Sequence, residues 1–357
     1  MRAAKFYAGR DIRIENVDPP APSEDKVLIA VEWCGICGTD LNEYLRGPMA
    51  VPSKKTGPHL LTGDVLPVIM GHEFTGRIVH APASSWLRPG QAVVVDPRYF
   101  CTSCIPCSKL STNCCDTIGF MGISGGGGGL SEMVAVPPEK VHALPGDTDL
   151  AAAALIEPLT VAWHGLRLSG IEDFKDTPVL VVGAGPVGVA VVFALRARGA
   201  NVIFVSEPSQ KRREFLAEIA HAVFNPTKVD VGKKCRELTG GEGVGVVFDC
   251  AGSQVGFQAG LDALRFQGQH INLAAPKIPL TLPWYLVMRR EAVLKSSLAY
   301  DETDFKQVVE AYVEGRFRGV EQMITRRISL EDVVAKGYEE LSRPNDHIKI
   351  LATPKAR

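Results

Sequence analysis

Five cysteines crowd one short stretch of the chain and have the chemistry of a metal site. Cys101, Cys104 and Cys107 follow one another at intervals of three residues, and the adjacent pair Cys114 and Cys115 comes soon after. Thiolates at this spacing on a tight loop can converge on one tetrahedral zinc. Four thiolates leave no open position for a substrate, so the stretch predicts a structural zinc site. The spacing alone allows either Cys114 or Cys115 as the fourth ligand.

Disulfides are the competing explanation for these cysteines. The chain has nine cysteines, which is an odd number, and its first residues lack the apolar segment of a secretory signal. Proteins without such a signal remain in reducing compartments, where disulfides are rare. We therefore expect reduced cysteines and a cytoplasmic protein.

A second candidate metal site is scattered along the chain. Cys37 closes a Cys-x-x-Cys pattern with Cys34. His72 and Glu73 follow a glycine turn, and Glu157 ends an alanine-rich apolar segment just before a proline. A thiolate, an imidazole and a carboxylate make the three-ligand site of catalytic zinc, which keeps a fourth position open for substrate. A redox pair of Cys34 and Cys37 is the alternative, but no thioredoxin-like βαβ pattern surrounds it.

A glycine-rich turn carries the pattern of a dinucleotide site. A strand-like run, Val179–Val182, leads into GxGxxG and then into an apolar helical segment. Glycines at these positions let the backbone approach a pyrophosphate, whose charge is stabilised at the helix N-terminus. The residues of this turn are Gly183, Gly185, Pro186, Val187 and Gly188.

The expected acidic partner of this turn is Glu207, which ends the next strand-like run, 24 residues after Gly183. A carboxylate at this distance accepts hydrogen bonds from the adenosine ribose and repels a 2′-phosphate, which favours NAD over NADP. The basic run 211–213 acts against this preference, because one of its side chains could pair with a phosphate. Arg212 and Ala274, the latter at the end of a later strand-like run, complete the expected cofactor contacts.

The composition is that of a globular protein with two domains. Of the 357 residues, 46% are hydrophobic and 22% charged, and the net charge is −1. This balance, with no charged run, argues against nucleic acid or an anionic membrane as a partner. The apolar segment 178–195 is long enough to span a membrane, but its glycines and β-branched start favour a buried strand and a turn. The run Gly125–Gly129 is expected to form a flexible loop.

Together these residues resemble a known family. Zinc-dependent medium-chain alcohol dehydrogenases have similar motifs in the same order, which here are Cys37-Gly-Thr39-Asp40, Gly71-His72-Glu73, the cysteine-rich lobe, Glu157-Pro158 and the GxGxxG turn. The resemblance covers nearly the whole chain. Within the family, the (R,R)-butanediol dehydrogenase branch is the most similar, through the segments Glu43–Pro48, Ile123–Gly126 and Phe224–Pro226.

The resemblance implies an α/β protein with two domains. A GroES-like β-barrel catalytic domain would comprise residues 1–158, with the structural zinc lobe at 98–118, and residues 299–357 would return to it. A Rossmann domain with a doubly wound parallel sheet would occupy residues 159–298 and bind NAD. Strand–helix alternation in the second half of the chain agrees with such a sheet.

The resemblance also implies two zinc ions per chain. The structural zinc would be bound, by the spacing usual in the family, by Cys101, Cys104, Cys107 and Cys115. The catalytic zinc would be held by Cys37 and His72, and either Glu73 or Glu157 would supply the carboxylate.

The implied reaction is hydride transfer between NAD(H) and a secondary alcohol or vicinal diol and its ketone, such as 2,3-butanediol and acetoin. Zinc lowers the pKa of the alcohol hydroxyl, and Thr39 resembles the residue that first takes the proton. The family often has a histidine where this chain has Asn42, and an amide does not titrate near neutral pH. We therefore expect proton release through water and an oxidation rate that depends more strongly on alkaline pH.

Other functions share these motifs. A polyol (sorbitol-like) or L-threonine dehydrogenase and a ketone reductase of specialised metabolism differ from a butanediol dehydrogenase only in pocket residues. A non-catalytic NAD-binding scaffold would need the zinc lobe but no open zinc site. In each enzyme reading the partner is a small alcohol or ketone, and the family implies a homodimer or homotetramer.

Overall fold

The computed structural model describes residues 1–276 and 278–355, which form two compact units. The first unit comprises Met1–Glu157 together with the chain from Gly319 onward, and the second comprises Pro158–Arg318. The boundary between residues 157 and 158 is one residue from the predicted one.

The first part of the first unit is rich in β-structure. Its strands are β1 (Arg2–Ala8), β2 (Asp11–Asn16), β3 (Val27–Gly35), β4 (Val68–Ile69), β5 (Glu73–His80), β6 (Ala92–Val95), β7 (Arg98–Tyr99), β8 (Gly119–Phe120), β9 (Met133–Val136) and β10 (Val141–Leu144). Its helices are α1 (Gly38–Arg46), α2 (Ile105–Ser108) and α3 (Leu150–Ala153).

The second unit alternates strands and helices. They are α4 (Ile156–Leu168), β11 (Val179–Val182), α5 (Pro186–Ala197), β12 (Ile203–Ser206), α6 (Gln210–Leu216), β13 (Ala222–Phe224), α7 (Val231–Leu238), β14 (Val244–Asp249), α8 (Gln254–Ala263), β15 (Leu264–Asn272), α9 (Trp284–Arg290), β16 (Val293–Ser296) and α10 (Glu302–Val313). All neighbouring strands pair in parallel, in the order β13-β12-β11-β14-β15-β16. The predicted doubly wound sheet is therefore confirmed, and its strand order reverses between β11 and β14, where such sheets bind ligands.

The final part of the chain returns to the first unit. It contains β17 (Ile324–Ser329), a π-helical segment (Val333–Tyr338), α11 (Glu339–Leu341) and β18 (Lys349–Thr353). The main sheet has the order β10-β6-β5-β3-β18-β17, and β9 also pairs with β3. The strand nearest the end of the chain thus lies inside this sheet, between β17 and β3.

Strand pairing brings the ends of β3, β5 and β18 together. Gly35, at the end of β3, lies opposite Glu73 at the start of β5, and it also lies opposite Leu351 of β18. Cys37 follows β3 by two residues and precedes α1. Sheet register therefore gathers side chains from distant parts of the sequence at one place in the first unit.

Residues 299–318 belong to the second unit, whereas the predicted return to the first unit began at 299. Asp304 of α10 is fully buried and bonds two side chains of α4. Its carboxylate lies 2.7 Å from Nδ1 of His164 and accepts a hydrogen bond of 2.7 Å from Nε of Arg167. This buried network fixes α10 to α4, so the chain leaves the second unit only at Gly319.

The segment 178–195 does not form one long helix. It divides into β11 and the first ten residues of α5, as its glycine turn predicts. Among the described residues, no helix is both long and apolar enough to cross a membrane.

Candidate functional site

The cysteine lobe brings four sulfur atoms together. Ligand atoms of Cys101, Cys104, Cys107 and Cys115 all lie within 4.8 Å of one another. The sulfurs of Cys101 and Cys115 are 3.6 Å apart, which suits two thiolates on one tetrahedral zinc. Cys114 is exposed and lies outside this group. The geometry therefore favours Cys115, as the family spacing implies.

The cysteines of the lobe differ in their electrostatics. Hydrogen bonds from Ser103 lower the pKa of Cys101 to about 5, whereas burial raises the pKa of Cys107 to about 12. Four thiolates at such short distances repel one another, and a divalent cation removes that repulsion. The residues present therefore fit a structural zinc.

A second group joins the scattered residues of the predicted catalytic site. One ligand atom each of Cys37, His72 and Glu73 lies within 4.8 Å of the others. The close approach needs a glycine at position 35, because a Cβ there would lie 2.1 Å from Oε2 of Glu73. The thiolate, imidazole and carboxylate are the donor set of catalytic zinc, so this group also fits the metal.

Asp40 supports this group, and sequence reasoning gave it no role. Its Oδ2 accepts a hydrogen bond from the backbone N–H of Cys37 at 2.9 Å, and its Oδ1 lies 3.2 Å from Nδ1 of His72. Burial lowers the pKa of His72, but the charges of Asp40 and Cys37 outweigh burial and raise it well above its usual value. The surroundings thus favour positive charge at the imidazole, which a bound cation supplies. The position of Asp40, three residues after Cys37, was the feature of the sequence that could have indicated its role.

Lys349 is the second residue that the sequence did not reveal. Its Nζ donates to both carboxylate oxygens of Glu73, at 2.8 and 2.7 Å. Glu157 is buried in the first turn of α4 and is not part of the group of Cys37, His72 and Glu73. Its charge nevertheless helps to raise the pKa of Lys349, after the larger effects of burial, which lowers it, and of Glu73. Both candidate carboxylates therefore act electrostatically on the same ammonium group.

Helix α1 carries Thr39, which is expected to take the proton, and Asn42, which stands where the family often has a histidine. Oγ1 of Thr39 is exposed and lies 3.9 Å from the sulfur of Cys37. Oδ1 of Asn42 accepts a hydrogen bond of 3.0 Å from Nη2 of Arg46. Cys34, in contrast, is fully buried, and burial raises the pKa of its thiol well above the usual value. A redox cysteine needs the opposite shift, so the structure disfavours the Cys34–Cys37 redox pair.

The run Gly125–Gly129 is tightly packed, and the expectation of a flexible loop was wrong. A Cβ at Gly126 would lie 2.2 Å from the Tyr99 hydroxyl, and one at Gly128 would lie 2.4 Å from the Met70 carbonyl oxygen. Gly129 donates a backbone hydrogen bond of 2.8 Å to Gly71. The glycines are needed for close backbone approach beside His72 rather than for mobility.

The second unit contains a cavity of about 480 Å³ at the carboxyl ends of its strands. Its lining residues are Val182, Gly183, Gly185, Ser206, Glu207, Pro208, Arg212, Pro226, Thr227, Cys250, Ala251, Ser253, Val255, Gly256 and Ala259. Four of the predicted cofactor residues are among them. Pro186, Val187 and Gly188 form the first turn of α5 behind this lining, and Ala274 instead packs near Gly252.

The glycine turn has the shape that a pyrophosphate requires. Gly183 has φ +90°, and a Cβ at Gly188 would lie 1.9 Å from the Gly183 carbonyl oxygen. Glu207 is buried, and its two oxygens accept backbone hydrogen bonds of 2.7 Å from Ala184 and Ser209. Each oxygen keeps a lone pair for a ribose hydroxyl. Cavity and turn therefore fit a dinucleotide.

Comparison with known proteins agrees with this geometry. Residues 23–146 match the family model described as alcohol dehydrogenase GroES-like domain, and residues 186–314 match that of zinc-binding dehydrogenase. The chain is 36% identical to (R,R)-butanediol dehydrogenase of Saccharomyces cerevisiae, over 99% of this chain and 98% of the relative. It is 29% identical to a probable D-xylulose reductase A of Arthroderma otae, over 92% and 91% of the two chains.

A solved structure shares the whole fold. The crystal structure of 2R,3R-butanediol dehydrogenase from Bacillus subtilis superposes with a TM-score of 0.91 and 32% identity, and the alignment covers 99% of each chain. The predicted GroES-like and Rossmann architecture is thereby confirmed. The chain belongs to the zinc-dependent medium-chain alcohol dehydrogenase family, and it is an oxidoreductase that acts on CH–OH groups with zinc and a nicotinamide cofactor.

Proposed function

We propose that this enzyme interconverts a vicinal diol and its hydroxyketone, such as 2,3-butanediol and acetoin, with NAD(H). The observation that carries the proposal is the group of Cys37, His72 and Glu73, which matches an open zinc site in a chain similar over its full length to butanediol dehydrogenases. A non-catalytic scaffold would not need this buried donor set beside a structural zinc lobe.

In the proposed mechanism Cys37, His72 and Glu73 hold the catalytic zinc. When bound, the metal supplies a Lewis acid that stabilises negative charge on the substrate oxygen. Asp40 fixes the orientation of His72, as carboxylates behind metal-bound histidines do. Thr39 takes the proton of the alcohol, and Asn42 cannot pass it on by titration, so the proton leaves through water.

We also propose two zinc ions per chain and a preference for NAD. The cysteine lobe would bind the second zinc, and Glu207 would bind the ribose hydroxyls. The negative charge of Glu207, buried in the lining of the cavity, opposes a 2′-phosphate. Arg212, in the same lining, is the residue that would soften this preference.

The proposal is tested by steady-state kinetics and metal analysis of the purified enzyme. The substrates are the three stereoisomers of 2,3-butanediol, acetoin with NADH, sorbitol, xylitol and L-threonine. We expect kcat/KM for one butanediol stereoisomer to exceed that for the polyols by about 10-fold or more, with about two zinc ions per chain. A single zinc, retained after loss of the lobe cysteines, would contradict the lobe assignment.

A polyol dehydrogenase is the second candidate, and the similarity to a D-xylulose reductase favours it. Higher kcat/KM for xylitol than for every butanediol would select it. Absence of activity with all of these substrates would instead direct the search to ketones of specialised metabolism.

We further propose a homo-oligomer built on the edge of the second unit. Strand β16 lies at the end of the sheet, and the preceding helix α9 exposes Trp284, Tyr285 and Met288, which are 65%, 74% and 70% accessible. Apolar groups of this size are a common part of subunit interfaces. Light scattering should show a dimer or tetramer, and Trp284→Glu with Tyr285→Glu should reduce the mass to that of one chain.

The nine cysteines, all within the described residues, form no disulfide bonds, which suits a reducing compartment such as the cytoplasm.

A further inference from the structure

Strand β14 ends in a carboxylate that shapes the following turn. Asp249 is fully buried, and its Oδ1 accepts hydrogen bonds from the backbone N–H groups of Ala251 at 2.9 Å and Gly252 at 3.1 Å. Gly252 has φ +60°, so the chain turns sharply here. One side-chain oxygen therefore determines the conformation of the segment 250–253, named here the β14 turn.

The β14 turn forms one wall of the cavity in the second unit. Cys250, Ala251 and Ser253 all line the cavity. The Cβ of Ala251 lies 3.1 Å from the position that a Cβ would take at Gly183, the first glycine of the dinucleotide turn. The wall and the glycine turn are thus in contact, and a shift in one alters the space beside the other.

His270, on the neighbouring strand β15, lies behind Asp249. Its Nε2 is 3.8 Å from Oδ2 of Asp249, and both side chains are almost completely inaccessible. Neither atom has a hydrogen-bond partner within the part of the chain that the structure describes. Burial lowers the pKa of His270, although the charge of Asp249 acts in the opposite direction.

Packing holds the His270 ring in this place. Phe257 of α8 meets it edge to face, with ring centroids 5.0 Å apart. A Cβ at Gly260 would lie 3.3 Å from Nε2. The ring therefore has little room to rotate away from Asp249.

We propose that Asp249 and His270 are positioning residues for the nicotinamide cofactor, Asp249 by holding the β14 turn and His270 by packing behind the Asp249 carboxylate. The inference rests on the proposed assignment of the cavity to the cofactor. Neither residue lines the cavity, so their effect is on cofactor affinity and not on the chemical step.

The test is direct titration of the purified enzyme with NADH, followed by protein fluorescence, beside steady-state kinetics with NAD. Asp249→Ala removes the acceptor of two backbone hydrogen bonds and should raise the dissociation constant about 10-fold. Asp249→Asn keeps one acceptor oxygen and should stay within about 3-fold of the unmodified enzyme. His270→Phe should raise the constant by about 3-fold or more. In each variant KM for NAD should rise while kcat at saturating NAD changes less than about 2-fold.

Asp230→Ala is the matched control. Asp230 also accepts a backbone hydrogen bond, 2.8 Å from Lys233, but it caps α7 and does not line the cavity. This variant should lower thermal stability and leave the NADH dissociation constant unchanged. In amide exchange without cofactor, Ala251 and Gly252 should exchange faster in Asp249→Ala only.

The outcomes separate two failures. If the unmodified enzyme does not bind NADH, the cofactor assignment of the cavity is wrong. If it binds NADH and both Asp249→Ala and His270→Phe bind it equally well, the positioning role is overturned. Should Asp249→Ala not fold, an unchanged dissociation constant in His270→Phe alone is sufficient to reject the role.

Discussion

The ammonium group of Lys349 donates to both carboxylate oxygens of Glu73, at 2.8 and 2.7 Å, and both side chains are only 1% accessible. A buried ion pair gives little net stability compared with two apolar residues, but loss of one partner leaves an isolated buried charge. The pair therefore fixes the Glu73 carboxylate in place, beside Cys37 and His72, in the candidate metal centre.

Replacement of Lys349 by methionine should destabilise the enzyme strongly. We expect a loss of about 3–5 kcal/mol in the free energy of unfolding, because Glu73 remains buried without its counter-charge. Urea unfolding, monitored by protein fluorescence, measures this loss in the free energy of unfolding. Lys355→Met is the control: its ion pair with Glu32 spans 2.8 Å, but the lysine is 61% accessible, so a loss of less than about 1 kcal/mol is expected. Equal losses in both variants would contradict the argument.

The contribution of Lys349 should not change with pH near neutrality. Burial lowers the pKa of Lys349, but Glu73 and Cys37 outweigh burial and raise it above the usual lysine value. Stability from a raised pKa is present below the unfolded value of about 10.4 and is lost only as pH rises through the folded value. The difference in the free energy of unfolding between the unmodified enzyme and the double variant Glu73→Gln, Lys349→Met, which leaves no unpaired buried charge, should therefore be constant between about pH 6 and 9. A decrease in this difference within that pH range would show that another group titrates there.

Acid should weaken the attachment of α10 through Asp304. Burial raises the pKa of this carboxyl, but hydrogen bonds from His164 and Arg167 outweigh burial and hold it well below its usual range. The stability from this depressed pKa is present above the ordinary value of about 3.9 and is lost as pH falls through the folded value. Asp304→Asn should therefore flatten the acid limb of a stability–pH profile measured by urea unfolding. Asp332→Asn, which breaks an exposed pair with Lys336, should leave that limb unchanged.

The adjacent cysteines of the zinc lobe should differ in their effect. Cys115→Ser removes a sulfur of the four-cysteine group, so zinc content should fall by about one per chain and thermal stability should fall with it. Cys114→Ser changes an exposed thiol outside the group and should alter neither quantity. Mass spectrometry under native conditions measures the zinc content, and calorimetry measures the thermal stability. Zinc loss in Cys114→Ser alone would reverse the assignment.

Asn42→His should introduce a proton carrier on α1. An imidazole titrates near neutral pH, whereas the amide of Asn42, bonded to Arg46, does not. The rate of alcohol oxidation at pH 7 should rise by about 3- to 10-fold, with little change at pH 9. Arg46→Met tests whether the hydrogen bond from Arg46 to Asn42 contributes to the rate of alcohol oxidation. An unchanged pH–rate profile in Asn42→His would reject the water route for proton release.

Local patterns were sufficient to predict most of the fold, and they point to the residues that the structure gathers in two candidate metal groups. Cys37 and His72 stand in short motifs, and β11 with its glycine turn has a strong periodic pattern. The sequence did not predict the roles of Lys349 and Asp249, because their partners are set by sheet register, which no local pattern reveals. The glycines at 125–129 were misjudged for a related reason, since close backbone contact and flexibility give the same composition. The sequence did not reveal where the second unit ends, because the buried network of Asp304, His164 and Arg167 sets that boundary and a linker does not.

The position of β18 inside the first sheet has a consequence for synthesis of the protein. Glu73 and Lys349 are 276 residues apart, and a ribosome that adds about 5–20 residues per second takes roughly 14–55 s to make that length. The second unit is continuous in sequence and can fold during this time, whereas β3 still lacks its pairing with β18. A nascent chain therefore carries an open sheet edge, a target for chaperones, until the strand that contains Lys349 emerges.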